Sequence, residues 1–235
     1  MPTLRTVFAV FAVAGLLSAC GDDDDAGGGE DTTTTSGAST TTTSPAELEQ
    51  PAIWPAAGVV FDTPAAAAED FVTDALGVPP TLGDFQQGDA RSGEIEVFSP
   101  GEGPSATPVV RGVLLMRQLG PDEGWFVIAA TSDHQTITAP SSGDQVTAGP
   151  LVVEGSGRGF EGTIVVTAFR AGEAEPELDE LVTQGGAQEA SEPFTVTLDL
   201  SDASPGETVA LLVRGGTGLE TDPGDFAAIP VAIAN

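Results

Sequence analysis

Apolar positions are unevenly spread along this chain of 235 residues. They begin with a dense uncharged run, Val7 to Leu17, too short to span a bilayer. Residues 21–46, "GDDDDAGGGEDTTTTSGASTTTTSPA", then offer almost nothing to bury. Beyond them the pattern acquires structural periods. In "DTPAAAAEDFVTDALG" (62–77), Ala67, Phe71 and Ala75 recur at helical spacing, with Ala68, Val72 and Leu76 beside them. Thr63 is placed to cap this helix, Pro64 suits its first position, and Gly77 with Pro79-Pro80 stops it. Three strands are predicted next, over 93–99, 109–119 and 124–132, with "GPDEG" (120–124) as the turn of a hairpin. One helix on a three- or four-stranded antiparallel sheet makes a small α+β domain over 47–134.

From residue 135 the helical period disappears. Short strands are predicted at 135–139, 145–154, 163–170, 178–184, 194–200, 207–214 and 228–234, separated by Gly, Pro, Ser and Asp. The clearest is "FTVTLDL", where Phe194, Val196, Leu198 and Leu200 alternate with Thr195, Thr197 and Asp199. Seven short strands of this kind predict an Ig-like β-sandwich over 135–235. The expected fold class is therefore mainly β: a sandwich preceded by a small α+β domain, with a disordered N-terminal segment.

Charge narrows the functional classes. The formal net charge is −29, from 36 acidic and 7 basic residues, and every basic residue is arginine. Such a surface repels nucleic acid, whose binding needs phosphates neutralised by Lys and Arg. With no lysine, Schiff-base and Ser-Lys chemistry are excluded. A single cysteine, Cys20, permits neither an internal disulfide nor a Cys-x-x-Cys zinc site.

That cysteine closes the sequence "MPTLRTVFAVFAVAGLLSAC". Arg5 followed by a short apolar run reads as a secretory signal peptide over residues 1–19. The ending Leu17-Ser18-Ala19-Cys20 resembles the lipobox of bacterial lipoproteins. The resemblance implies cleavage before Cys20 and a diacylglycerol on its thiol, at the extracytoplasmic face of the cell membrane. Two acyl chains anchor far better than one, at about 0.8 kcal/mol per buried methylene. Residues 20–46 then read as a disordered stalk, too polar to repay the entropy of folding. The "DDDD" run lacks the ligand spacing of an EF-hand and reads as solvated charge.

A second resemblance lies in "ITAPSSGDQVTAGPLVVEGSGRGFEGTIVVTAF" (137–169). Pro140, Gly143, Val146, Pro150, Val153, Gly155, Phe160, Glu161 and Gly162 match the pattern of the immunoglobulin-like domain of bacterial spore germination. The likeness covers residues 135–235 and departs from the family pattern at 215–226. It implies a β-sandwich on a surface protein, without catalysis, and gives those residues structural roles. "GRGFEG" (157–162) also spells Gly-x-Gly-x-x-Gly, but a strand follows it where a dinucleotide site needs a helix. These glycines read instead as a tight connection between strands, with Phe160 tucked into the core.

No catalytic constellation emerges. The one histidine, His134, has Ser132 and Asp133 beside it, but adjacency in sequence is not triad geometry. Trp125 reads as a packing anchor. No metal, cofactor or enzymatic activity is expected. The leading expectation is a non-enzymatic binding or scaffold module held by its lipid, with an envelope protein or wall polymer as partner. The alternative is a solute-binding or ligand-sensing lipoprotein with its site between the two domains, near His134 and Trp125. A carboxylate-dependent hydrolase ranks below both.

Overall fold

The computed structural model describes residues 48–100, 107–187 and 190–235, all within the unit Thr43–Asn235. The fold is mainly β and its pairing mainly antiparallel. One α-helix is present among the described residues, α1 (Pro64–Asp74). Its cap is as the sequence predicts: the Thr63 hydroxyl accepts from the Ala66 N–H at 3.2 Å, and Pro64 opens the helix. Ala67, Ala68, Phe71 and Val72 form its buried face, and Gly77 follows its end at φ +67°.

The strands of the first region are β1 (Gln86–Asp89), β2 (Ser92–Ser99), β3 (Val109–Leu119) and β4 (Gly124–Thr131). The β3–β4 hairpin closes with Leu119 opposite Gly124, on the predicted turn. The second region adds β5 (Thr136–Ala139), β6 (Gln145–Val146), β7 (Pro150–Gly159), β8 (Thr163–Arg170), β9 (Asp179–Gln184), β10 (Gly186–Ala187), β11 (Glu192–Asp199), β12 (Thr208–Gly215) and β13 (Phe226–Ile233). The predicted strand over 145–154 is split, because Gly149 turns the chain at φ +116° between β6 and β7.

Two sheets result. The larger runs β1-β2-β3-β4-β13-β12-β8-β9, with β6 also on β13, and the smaller runs β10-β7-β11, with β5 also on β7. The larger sheet passes from one region to the other where Ala130 of β4 pairs with Ala228 of β13. Pro230 in β13 costs no ladder bond there. Its carbonyl accepts from the Gly143 N–H, on the side away from β12, so the missing N–H faces the gap between β4 and β6.

Both faces of the larger sheet are buried around β12. On one face Val209, Leu211 and Val213 meet Val153, Phe194 and Leu198 of the smaller sheet. On the other, Ala210, Leu212, Phe226, Ala228 and Phe169 join Ile53, Trp54 and the α1 residues Phe71 and Val72. The covering layer is pinned by polar contacts. Ile53 and Trp54 bond to Val127 of β4, Gly172 donates to the Ile53 carbonyl, and the Trp54 indole donates to Asp70 at 2.8 Å. Trp125 packs edge-on against Phe85, with ring centres 5.2 Å apart.

Candidate functional site

The residues singled out from the sequence of the second region lie along β5 to β8. Pro140 follows β5 in a cis peptide, and Gly143 turns at φ +81° to donate to the Pro230 carbonyl at 2.7 Å. Val146 pairs with Ile233, Pro150 opens β7 opposite Asp199, and Val153 is fully buried. Gly155 is required by close approach, since a Cβ there would collide with the Thr136 carbonyl and the Phe194 ring. Gly159 is crowded in the same way by the Thr163 carbonyl. Cys20 and the stalk lie outside the described residues.

Phe160 departs from expectation. It is not in the core: it stands 60% exposed. The reason is the turn that carries it. Residues Phe160–Gly162 form a single 3₁₀ turn, with Glu161 at φ 53° and Gly162 at φ 76°, which swings the ring out of the strand alternation. The backbone is nevertheless held, since the Phe160 N–H donates to the Gly216 carbonyl at 2.6 Å. The ring lies beside Gly218 of the 216–225 connection.

Next to this turn lies a chain of charges absent from the sequence reading. Arg111 on β3 grips Asp222 with two donors, Nε to Oδ1 at 3.0 Å and Nη2 to Oδ2 at 2.5 Å. Its Nη1 stands 3.6 Å from Asp225, whose other oxygen accepts from Arg158 Nε at 3.0 Å. The two aspartates are 3% and 8% exposed at their side chains. Paired charges of this kind survive desolvation because fork and carboxylate match in geometry. Glycines make the space: Gly224 at φ +69° accepts contact with the Gly215 carbonyl, and its N–H donates to Asp222. Gln135 joins the group, donating to the Arg158 carbonyl at 2.5 Å, while its Oε1 is buried with no donor. Gly157 is bare because Gln135 occupies the place of its Cβ.

Chemically this cluster is a charge-balanced joint. It ties β3 of the first region to β7 and to the β12–β13 connection of the second. Clefts open on either side. One, of about 570 Å³, is lined by Arg111, Arg158, Phe160, Glu161, Thr217 and Asp225. Another, of about 380 Å³, holds His134 with Glu96, Arg111 and Asp133. His134 is not brought to Trp125, which belongs to the far end of β4 and to no part of that cleft. Ser132 serves the turn before β5, its hydroxyl accepting from the His134 and Gln135 N–H groups at 3.0 Å. Among the described residues no group of three His, Cys, Asp or Glu side chains could hold a metal ion. No helix among them is long and apolar enough to cross a membrane.

The sequence signal for the cluster was weak but present. "DPGD" (222–225) sits in the stretch that departs from the spore-germination pattern, and each of its aspartates meets an arginine far away in sequence. No family model, curated protein or solved structure matches the chain.

Proposed function

We propose that the chain is a lipid-anchored surface protein of the cell envelope, working as a non-enzymatic binding module. In this reading Cys20 carries the lipid, residues 20–46 are a stalk, and the folded part is a small α+β half joined edge to edge with an Ig-like sandwich. The observation that carries it is Phe160. A large aromatic side chain stands in water on a backbone that is hydrogen-bonded in place, beside Gly218. Rigid aromatic anchors set among loops are what protein interfaces use as hot spots, whereas catalysis needs a convergent polar site. The arginine–aspartate joint supports the same reading, since it fixes the loops that present the ring.

The test is cross-linking on intact cells, with the full chain tagged at its C-terminus and adducts identified by mass spectrometry. A reproducible protein adduct is expected, reduced at least about tenfold by Phe160→Ser, in line with the loss of a hot-spot aromatic. Monomer alone, where a known envelope complex does cross-link, overturns the proposal, as does an adduct indifferent to Phe160→Ser.

A further inference from the structure

One row of side chains crosses the outer face of the larger sheet. Register places Phe226 of β13, Arg214 of β12, Val165 of β8 and Val182 of β9 side by side. Paired residues of antiparallel strands share a face, so the row is continuous. Its first member is buried beneath Phe71 of α1. The covering layer ends there. Val165 is half-buried and Val182 is 66% exposed. Arg214 stands at the boundary, half-buried, and desolvation pushes its guanidinium below the ordinary arginine value.

A guanidinium partly taken out of water is best repaid by acceptors. Arg214 has few. Its Nε and Nη2 both reach one acceptor, the Pro223 carbonyl, at 3.3 and 3.2 Å. Among the described residues no carboxylate comes within 4.0 Å of it. The carboxylates acting on it from further off are Glu180 and Asp222. Both are engaged elsewhere, Glu180 with the Thr167 hydroxyl at 3.1 Å and Asp222 with Arg111. An arginine has five N–H donors, so part of the fork is left to face the cleft of about 410 Å³ that it lines. That volume suits a small molecule.

We propose that Arg214 is the recognition residue of a ligand site for a small monocarboxylate with an aliphatic body. The carboxylate meets the free part of the guanidinium, and the body lies along Val165, which lines the cleft, toward exposed Val182 paired with it on β9. Singly charged carboxylate is favoured over phosphate because Glu180, Glu220 and Asp222, which line the same cleft, repel a second negative charge. The site is independent of Phe160 and of the lipid anchor.

The test uses the full chain in mild detergent with arginine-selective ¹⁵N labelling, which gives a simple spectrum because only seven arginines exist. Butyrate is the probe, with sodium chloride, butanol and inorganic phosphate as controls. The expected result is a saturable shift of the Arg214 Nε–H resonance by butyrate at about 50 mM or below, a range that covers millimolar affinity. Chloride and butanol are expected to leave it in place. Arg214→Lys keeps the charge but not the fork, and is expected to weaken butyrate at least about tenfold, read from a Val165 or Val182 methyl resonance. No saturable shift in the wild type overturns the site. A response to phosphate equal to or stronger than that to butyrate overturns the ligand class.

Discussion

Single atoms decide several positions in this molecule. Gly112 of β3 faces the Phe226 ring, and a Cβ at Gly112 would stand 2.8 Å from two ring carbons. The ring cannot retreat, being fully buried against Phe71. Gly112→Ala is therefore expected to destabilise the protein by about 1–3 kcal/mol through overpacking, measured as a lower urea midpoint with unchanged slope. Asp199 governs a pH response. The Ser201 hydroxyl, and then the Ser201 backbone N–H, hold its carboxyl below the ordinary aspartate value. A carboxyl depressed in the folded state adds stability above the unfolded-state pKa, about 3.9, and loses it as pH falls through the lower folded value. Asp199→Asn should thus be the less stable protein at neutral pH. The gap to wild type should close as the pH drops below the carboxylate range, in urea titrations stepped from neutral to acid. A constant gap would mean that Asp199 acts through shape alone.

At the scale of elements, the β12–β13 connection is held by the grip of Arg111 on Asp222. Removing one partner leaves a desolvated charge, so Asp222→Ala is expected to cost about 3 kcal/mol. Arg111→Met combined with Asp222→Leu should cost clearly less, because no orphan charge remains. Thermal unfolding of Asp222→Ala and of the double variant distinguishes this from simple loss of packing, in which the double variant would cost more. Helix α1 and the β3–β4 hairpin were legible in the sequence, because each carries its own period and its own stop residues. β1, "QQGD", was not, since all four of its residues are exposed and no alternation marks it. The joining of the two regions was hidden for the opposite reason. "TVALLVRG" of β12 is apolar at successive positions, the mark of a strand covered on both faces, but nothing in the run names its two covers. The connection that carries Phe160 was legible from its glycines, but not the 3₁₀ turn within it, which points the ring outward rather than into the core. The charge cluster stayed hidden because its partners lie 67 and 111 residues apart.

For the whole molecule, the anchor proposal makes its own prediction. Cys20→Ala is expected to move the protein out of the detergent phase in a partition assay on expressing cells, with the signal peptide retained or the chain released. A mutant that partitions like the wild type would remove the lipid from the account. Beyond location, anchoring adds a mechanical consequence to the bonds around Ile53. In a chain tethered by its N-terminus, tension first passes the exposed contacts of Glu49 with Gly120 and Arg91 and then reaches Ile53 and Trp54. There it meets three backbone bonds to Val127 in one direction and one from Gly172 in the other. Val127 belongs to the first region and Gly172 to the second, so a pull at the base loads both together. The tether cannot peel one half from the other without first breaking that shared clasp.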